Sequence, residues 1–327
     1  MTENNNSSAN LVFAADLGGT HLRGALIDRS GVIHAQRKEQ TPKESSPQSV
    51  VQALIEVAHE CQHSVGVEVL HAACVLVPGT LDTANEIVTQ APNLPSLISF
   101  NFKSALEQKF RIPVLLENDA NAAAVGEMWL GAARGARNVI CITLGTGVGA
   151  GIILDGKLWR GTFGTAGELG HTTFDAFNGP QCKCGNRGCL EMYASATAIV
   201  RMARELLNSH TDTTLSDQCL TAEKVYEAGV RGDSLALEIF RTVGAYLGVG
   251  IANLINILGP EVIVIGGGVA NGWTLFEGAM REQVLKQASR PLTPMAEIKP
   301  ALCGDNAGLL GAAHLAWTPP EINKKSI

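Results

Sequence analysis

The sequence predicts an α/β protein built from two lobes, and three observations carry this prediction. A chain of 327 residues is longer than one hydrophobic core usually supports. Strand-like and helix-like segments alternate up to Gly131, and the same alternation starts again at Val139. The composition agrees, because 46% hydrophobic residues and 35 glycines are typical of a packed α/β protein with many tight turns.

The first lobe is predicted from apolar strands and from three helices of different character. The strands are Leu11–Leu17, Leu22–Asp28, Val32–Gln36, Val69–Val77 and Val114–Glu117. Apolar residues at helical spacing predict a helix over Pro47–His63, and Lys103–Phe110 is a shorter one. Asn118 is a good N-cap for an alanine-rich helix over Ala120–Gly131. This order of elements favours a three-layer lobe.

The second lobe begins as the first one does. Strand Val139–Leu144 is followed by a glycine-threonine turn and by strand Gly149–Leu154. A strand, a Gly/Thr turn and a second strand therefore occur twice, which suggests duplicated lobes that face each other. The remaining predicted elements are helices Ala194–Asn208, Ser234–Leu258 and Asn306–Trp317, and strand Glu261–Ile265 before Gly266–Gly268.

Charge and cysteine usage exclude several classes of protein. The net charge of −6 argues against a nucleic-acid surface, so we expect no nucleic-acid partner. No run approaches the length of a transmembrane helix, and the N-terminus lacks the pattern of a signal peptide, so no membrane partner is expected. Five scattered cysteines indicate a reducing compartment and a cytoplasmic protein. The polar residues 1–10 are expected to be disordered.

The most specific motif is a group of three cysteines within eight residues. Cys182, Cys184 and Cys189 are spaced around glycines that allow tight turns, and His171 lies a short loop upstream. Three thiolates and one imidazole can hold a tetrahedral metal ion, so we predict a structural Zn²⁺ site. The alternative is a loop with three reduced surface cysteines.

Two glycine turns predict a nucleotide site. They are Asp16-Leu17-Gly18-Gly19-Thr20 and Leu144-Gly145-Thr146-Gly147-Val148-Gly149. Their backbone N–H groups and threonine hydroxyls can bind phosphate, and Asp16 can hold Mg²⁺ directly or through water. Neither turn is a Walker or a Rossmann loop, because a strand follows each one. A third glycine turn, Gly266–Gly268, can support a flat base. Ordinary turns without a ligand are the alternative in each case.

Polar residues that follow the strands predict a polyol site. Asp119 begins a helix directly after a strand, where it can accept a hydroxyl proton as general base, or serve only as a first-turn carboxylate. Asn118 and Asn93 offer amides, although Asn93 also fits ordinary turn chemistry. Glu168 and Glu191 lie near the metal ligands. With zinc on one nitrogen of the histidine, the other remains an N–H donor, and the set suits the vicinal hydroxyls of a sugar.

Together these motifs resemble the ROK family, which comprises bacterial sugar kinases and sugar-responsive repressors of the actin/hexokinase/Hsp70 superfamily. The resemblance extends from Leu11 to Trp317. It rests on the two glycine turns, Glu117–Asn121, Ala166–His171, Cys182–Glu191 and Gly266–Gly268. The cysteine-rich stretch is specific to the family, whereas the glycine turns occur across the superfamily.

The resemblance implies a role for each matching residue and a two-lobed actin-like (ribonuclease H-like) fold with a cleft between the lobes. Asp119 is the implied general base. The implied sugar ligands are Gly79, Asn93, Asn118, Asp119, Glu168, His171 and Glu191, and the zinc ligands are His171, Cys182, Cys184 and Cys189. ATP and Mg²⁺ are implied at Asp16, Gly18, Gly19, Thr20, Thr146, Gly147, Gly267 and Gly268. The implied small lobe is 11–118 with a helix at about 305–317, and 119–304 is the large lobe.

The function expected from these features is ATP-dependent phosphorylation of the 6-hydroxyl of glucose by a homodimer. Kinases of N-acetylglucosamine, N-acetylmannosamine, fructose or allose remain open, as does polyphosphate as donor. Ser96-Leu97 stands where many glucose-directed members of the family carry a Gly-Trp pair. Phe163 occupies a position that is often Asn, Ala or His in the family. A sugar-sensing repressor is the alternative of another class. Such repressors carry a winged-helix segment before the first turn, and only fifteen residues precede Asp16.

Overall fold

The computed structural model describes residues 10–42, 46–82, 87–91, 93–210, 212–289 and 296–319. Contacts divide the chain into two units, each with its own hydrophobic core. The first unit is drawn from Met1–Gly135, Leu158–Ala166 and Asp305–Ile327, and the second from Ala136–Lys157 and Gly167–Gly304. Of the N-terminal segment expected to be disordered, residues 1–9 lie outside the described residues.

Both units contain strands and helices. The strands are β1 (Val12–Leu17), β2 (His21–Ile27), β3 (Ile33–Gln40), β4 (Ala73–Val77), β5 (Thr80–Asp82), β6 (Ile87–Gln90), β7 (Val114–Asn118), β8 (Val139–Leu144), β9 (Val148–Leu154), β10 (Lys157–Leu158), β11 (Val262–Gly266) and β12 (Glu297–Pro300). The α-helices are α1 (Pro47–Val65), α2 (Phe102–Phe110), α3 (Asp119–Leu130), α4 (Glu191–Ala194), α5 (Ala196–Leu206), α6 (Ala222–Val230), α7 (Ser234–Leu258), α8 (Trp273–Gln287) and α9 (Ala307–Trp317).

The two large sheets have the same strand arrangement. The first has the order β3-β2-β1-β4-β7 and the second has the order β10-β9-β8-β11-β12. In each sheet the central strand, β1 or β8, pairs antiparallel with the strand that follows it and parallel with its other neighbour. A further parallel strand, β7 or β12, completes each sheet. The duplication predicted from the repeated Gly/Thr turns is therefore confirmed at the level of sheet order.

The boundary expected between residues 118 and 119 is displaced, because α3 belongs to the first unit together with α9. The backbones of these two helices approach closely where glycines replace side chains. A Cβ atom on Gly311 would lie 1.7 Å from the carbonyl oxygen of Ala122, and one on Gly126 would lie 2.1 Å from that of Ala307. This packing holds α3 in the first unit, which extends to Gly135 and also includes Leu158–Ala166.

Helix α7 is the central helix of the second core, and it corrects one expectation from the sequence. By length and composition alone, Ser234–Leu258 is apolar enough to cross a membrane. However, 61% of its most apolar window is buried inside the protein, and Ile239, Val243 and Leu247 are fully buried in the core of the second unit. This burial is that of a core helix, which passes the same hydropathy test as a membrane span.

Asp233 caps the N-terminus of α7 and is buried. Its carboxylate accepts hydrogen bonds from the N–H groups of Ala236 (3.1 Å) and Thr214 (2.6 Å), and from the hydroxyls of Thr213 and Thr214. Burial alone would raise the pKa of Asp233, but these hydrogen bonds bring it below its ordinary value. The charged form is therefore the one that stabilises the second unit.

We expect Asp233→Ala to lower the free energy of unfolding by about 2 kcal/mol at pH 7, because it removes a cap and leaves buried N–H donors without an acceptor. A carboxylate whose folded pKa is depressed stabilises the protein above its unfolded pKa, and this contribution disappears as pH falls through the folded pKa. The difference between wild type and variant should therefore shrink below about pH 4. Denaturant unfolding at pH 7 and pH 3.5 measures the difference in free energy of unfolding between wild type and variant. An equal difference at both pH values would contradict this role of the Asp233 carboxylate.

Candidate active site

The first glycine turn joins β1 to β2 in the first unit and is held by backbone hydrogen bonds. The N–H of Gly18 donates to the carbonyl of His21 at 2.9 Å. Buried Thr41 supports the turn from β3, because its hydroxyl donates to the carbonyl of Gly18 (2.7 Å) and its N–H to that of Thr20 (3.0 Å). Gly19 and Thr20 are exposed. The turn is therefore fixed while its tip remains accessible to a ligand.

Asp16 has a partner that the sequence analysis missed. It lies opposite Arg23 in the β1–β2 register, and the Arg23 guanidinium donates a hydrogen bond to its carboxylate. The same guanidinium donates to the carbonyl of Asp305 at 2.9 Å. Both side chains are about a quarter exposed. An Mg²⁺ ion bound directly at Asp16 would share this carboxylate with Arg23, whereas a water-mediated ion leaves the pair intact.

Asn93 and Gly79 lie close to predicted partners within the first unit. A Cβ atom on Gly19 would lie 2.6 Å from the Cβ of Asn93, so Asn93 packs directly against the glycine turn. The Asn118 amide donates to the carbonyl of Gly79 at 3.0 Å. The side-chain oxygen of Asn118 accepts from the N–H groups at the start of α3, as an N-cap does. The prediction that Asn118 caps this helix is therefore confirmed.

Asp119 is the first residue of α3 and its side chain is exposed. One carboxylate oxygen accepts from the N–H of Ala120 at 2.8 Å. The neighbouring side chains are progressively more enclosed, since Asn118 is half-buried and Glu117 is buried. An exposed carboxylate at a rigid strand-to-helix junction can accept a proton from a bound hydroxyl group, which is the chemistry of a general base.

The predicted zinc ligands converge in the second unit. The ligand atoms of His171, Cys182, Cys184 and Cys189 all lie within 4.8 Å of one another. The Sγ atoms of Cys184 and Cys189 are 3.7 Å apart, close to the roughly 3.8 Å edge of a tetrahedron with zinc–sulfur distances of about 2.3 Å. Three sulfurs and one imidazole nitrogen are a donor set that zinc prefers, so the residues fit a zinc ion.

The thiols of this cluster have perturbed pKa values. Burial raises the pKa of Cys182, and it raises that of Cys189 to about 12. Burial acts in the same direction on Cys184, but hydrogen bonds from the backbone of Asn186 and from the other thiols lower the pKa of Cys184 overall. Because thiolates are the metal-binding form, a bound metal ion would displace protons from the two raised thiols.

His171 faces the cysteines with one nitrogen and Glu168 with the other. Its Nδ1 lies 3.7 Å from the Sγ of Cys182, and its Nε2 lies 3.9 Å from a carboxylate oxygen of Glu168. A metal ion on Nδ1 would leave a proton on Nε2. The cluster thus orients a hydrogen-bond donor beside an exposed carboxylate, an arrangement that can bind a sugar hydroxyl.

Glu191 links the cysteine loop to the second glycine turn. It follows Cys189 by two residues, and its carboxylate accepts from the N–H of Val148 at 3.0 Å. A Cβ atom on Gly147 would lie 2.3 Å from this carboxylate. The turn is also held by Thr197, whose hydroxyl donates to the carbonyl of Thr146 at 2.8 Å. One predicted sugar ligand therefore contacts a predicted phosphate-binding turn.

The third glycine turn lies beside the second one. Gly267 has a φ of 86°, in the left-handed region, and a Cβ atom there would lie 2.5 Å from the carbonyl oxygen of Leu144. Leu144 directly precedes the Gly145–Gly147 turn, and Gly267 and Gly268 are exposed. Within the second unit, the predicted adenosine-binding Gly267 therefore lies against the residue that precedes the second predicted phosphate-binding turn.

The model of the ROK family matches residues 12–318 of the chain. The chain belongs to the ROK family. It is 35% identical over 307 residues to a glucokinase of Halalkalibacterium halodurans, with 92% of this chain and 93% of the relative covered. A solved ROK family glucokinase from Streptomyces griseus, in complex with glucose and AMPPNP, is 34% identical with a TM-score of 0.80, covering 94% and 99% of the two chains. A xylose repressor of Bacillus subtilis is 30% identical, covering 95% of this chain and 78% of the repressor.

The similarity to solved ROK kinases confirms the predicted fold class, which is the two-lobed actin-like α/β fold. The sequence analysis missed three residues that contact candidate site residues or one another: Arg23, which contacts Asp16, Glu117, which contacts Asn118, and Arg160, which contacts Glu117. Arg23 was within reach, because the tight Gly18–Thr20 turn places residues 16 and 23 opposite each other in a hairpin. Arg160 contacts Glu117, and only tertiary folding brings these distant residues together.

Proposed function

We propose that this ROK protein is an ATP-dependent glucokinase that phosphorylates the 6-hydroxyl of glucose. The similarity to glucokinases and to ROK kinase structures supports a sugar kinase. The observation that carries the finer proposal is the 34% identity, over 94% of this chain, to a glucokinase in complex with glucose and an ATP analogue. Enclosed Asn118 and exposed Asp119 at one junction supply a binding amide and a candidate base.

Sugar binding is assigned to Gly79, Asn93, Asn118, Asp119, Glu168, His171 and Glu191. Carboxylates and amides accept and donate the paired hydrogen bonds that vicinal hydroxyls require. Binding of the structural Zn²⁺ to His171, Cys182, Cys184 and Cys189 would fix the imidazole tautomer that donates to the sugar.

Nucleotide binding is assigned to the three glycine turns. The phosphates are proposed to meet Gly18, Gly19, Thr20, Thr146 and Gly147, and the adenosine Gly267 and Gly268. Asp16 is the proposed ligand of Mg²⁺, directly or through water. When bound, Mg²⁺ neutralises charge on the transferring phosphoryl group.

In the reaction, Asp119 accepts the proton of the sugar 6-hydroxyl as the hydroxyl oxygen attacks the γ-phosphorus of ATP. The bond from that phosphorus to the bridging oxygen breaks, and ADP leaves. Asn118 and Asn93 hold the sugar so that the attacking oxygen is in line, and backbone N–H groups of the glycine turns stabilise charge on the phosphoryl oxygens. Catalysis is therefore mainly positioning and charge stabilisation.

Other sugars are the nearest alternative substrates. Ser96 and Leu97 form a short 3₁₀ turn, with Leu97 buried, where many glucose-directed relatives carry Gly-Trp. Phe163, 70% exposed, replaces a smaller or polar residue. The Ser96-Leu97 and Phe163 positions bear on the choice between glucose and N-acetylglucosamine, N-acetylmannosamine, fructose or allose. ATP and polyphosphate are the two phosphoryl donors to compare. We further propose a cytoplasmic homodimer that acts in glycolysis.

The second candidate function is that of a sugar-sensing regulator without kinase activity, which the similarity to a xylose repressor favours. Two assays separate the kinase from the regulator, and both use a panel of glucose, N-acetylglucosamine, N-acetylmannosamine, fructose and allose. With Mg-ATP as donor the assay measures ADP release, and with polyphosphate as donor it detects the phosphorylated sugar. A kinase turns over at least one sugar, with a large kcat/KM preference for glucose if the proposal is correct. Sugar binding by calorimetry without any turnover would favour the regulator.

Gly147→Ala tests the link between the second glycine turn and the sugar. The new methyl group would lie 2.3 Å from the Glu191 carboxylate and displace it, so we expect sugar affinity, measured by calorimetry without nucleotide, to fall about tenfold. Gly145→Ala is the matched control in the same turn, because a Cβ there meets nothing within 4 Å. Equal sugar affinity in both variants would contradict the role of Glu191.

A further inference from the structure

We propose that the ion pair between Glu117 and Arg160 is a positioning device for Asp119. This inference rests on the proposed function, because it assigns a role in the same phosphoryl transfer. The Glu117 side chain is only 4% exposed and Arg160 is 19% exposed, and neither residue is assigned to a ligand above. A buried carboxylate two residues before the proposed base requires an explanation, since burying a charge is costly unless it is paired.

Among the residues that the structure describes, the hydrogen bonds of the Glu117 carboxylate go to the strand-to-helix junction and to Arg160. One oxygen accepts from the N–H of Asn118 (3.0 Å) and from the side-chain amide of Asn121 (3.0 Å). The other accepts from the Arg160 Nε at 2.7 Å and lies 2.6 Å from its Nη2. The carboxylate thus binds the residues on both sides of Asp119, and Arg160 holds it in that orientation.

The side chains of Asn118 and Asn121 extend this network. Asn121 is buried, and its N–H donates to the Asn118 side-chain oxygen at 3.1 Å, while the Asn118 amide donates to the carbonyl of Gly79. The Asn118 side chain therefore keeps three hydrogen bonds when Glu117 is changed: it accepts from the N–H groups of Ala120 and Asn121, and it donates to the carbonyl of Gly79. Loss of the ion pair should release the backbone around Asp119 more than it releases the Asn118 amide, which predicts an effect on turnover rather than on sugar binding.

The surroundings of Glu117 show why the arginine is required. Cys74 on the neighbouring strand β4 is fully buried, and burial together with the nearby Glu117 charge raises the pKa of its thiol. Such a thiol stays neutral and adds no second negative charge beside Glu117. Arg160 alone makes the charge-balancing contact to Glu117 among the salt bridges of the described residues. A planar guanidinium suits this role because it directs two N–H groups at one carboxylate.

Arg160 also connects the junction to a second part of the proposed site through the chain itself. It lies in the Leu158–Ala166 segment of the first unit, where the N–H of Ala166 donates to its carbonyl at 3.0 Å and closes the loop. The chain then continues through Gly167 to Glu168. The ion pair therefore anchors, at one point, the junction of Asp119 and the segment that leads to a proposed sugar ligand.

The test compares variants that remove the Glu117–Arg160 ion pair with a control variant that removes an exposed ion pair. Arg160→Ala leaves a buried carboxylate unpaired and is expected to destabilise the fold, so the decisive protein is the double variant Glu117→Gln with Arg160→Gln, which buries no unpaired charge. The matched control is Arg137→Gln with Asp155→Asn, an exposed pair of 66% and 82% exposure. All are measured for kcat, sugar KM, thermal unfolding and hydrogen exchange of peptides covering residues 117–124.

We expect the double variant to fold like wild type, to lose at least about tenfold in kcat, and to keep sugar KM within about threefold. Arg160→Lys keeps the positive charge but lacks the paired N–H groups of the guanidinium, so its kcat should lie between those of the double variant and wild type. Hydrogen exchange at residues 117–124 should be faster in the double variant than in wild type. The control variant Arg137→Gln with Asp155→Asn should change neither kcat, sugar KM nor hydrogen exchange.

A double variant with kcat within twofold of wild type, or with unchanged exchange at residues 117–124, would overturn the proposal. Failure of the proposed function is a separate outcome. In that case wild type turns over no sugar on the panel, and the exchange measurement alone then decides whether the ion pair orders the junction.

Discussion

Replacing Asp119 by asparagine should lower kcat by at least about 10²-fold while the protein still folds and binds its sugar. The amide has nearly the shape of the carboxylate, and its oxygen can still accept from the N–H of Ala120, which lies 2.8 Å away. It cannot accept the hydroxyl proton at neutral pH, so the attacking oxygen would lose its proposed base. Turnover by ADP release and sugar affinity by calorimetry, measured on one preparation, separate the two effects.

The control for this variant is Asp217→Asn, which changes an exposed aspartate paired with Arg204 at 3.1 Å in the second unit. It should leave turnover and sugar affinity unchanged. Near-normal turnover by Asp119→Asn would remove Asp119 from the role of general base. A parallel loss of sugar affinity and turnover would instead make Asp119 chiefly a binding residue.

Cys184→Ser should release zinc from the proposed site and weaken sugar binding by about tenfold, because a zinc ion held by the cluster would orient His171. The Nδ1 of His171 faces the cysteines and its Nε2 lies 3.9 Å from Glu168, so an unanchored ring would lose its place beside this carboxylate. The effect should extend to Glu191, which follows the ligand Cys189 by two residues. Metal analysis and calorimetry with the sugar, without nucleotide, measure both consequences.

Cys219→Ser is the matched control, since Cys219 is an exposed thiol outside the metal cluster. It should keep one zinc ion per chain and wild-type sugar affinity. If Cys184→Ser lost zinc but bound sugar as wild type does, the coupling between metal and sugar would be wrong. If neither protein contained zinc when purified with the metal, the assignment of the cluster as a zinc site would fail.

Local signals predicted much of the fold. Strand Val139–Leu144 and helix Ser234–Leu258 have the predicted bounds, because the strand is a continuous run of apolar and β-branched residues and the helix has apolar residues at helical spacing. The short strands β5 and β6, strand β12 and helices α6 and α8 were not predicted. A strand of three or four residues carries too little periodicity, and α8 lacks a pronounced apolar face because only Phe276, Met280 and Val284 are buried.

The boundary of the first unit could not be read from the sequence for a different reason. It depends on the contact of α3 with α9, which lie far apart in the chain and meet through Gly126 and Gly311. The glycines that permit this contact look like ordinary helix-weakening residues in the sequence. Their function becomes visible only when the opposite backbone is located.

The candidate site shows the same division. The cysteine cluster was predictable because its ligands lie close in sequence and have a spacing that favours one metal ion. The glycine turns were predictable as turns, but their contacts with Asn93 and Glu191 were not. The Glu117–Arg160 pair joins residues 43 positions apart, and neither residue has a local pattern that names the other.

The measurement that tests the central claim most directly is NMR identification of the product formed from glucose, Mg-ATP and the zinc-replete protein. A ¹H–³¹P correlation should show phosphorus coupled to the protons at carbon 6 of glucose, formed together with ADP and at least about 10²-fold more slowly with Asp119→Asn. Unchanged glucose and no phosphorylated product with any sugar of the panel, from protein that binds sugar, would contradict the kinase assignment.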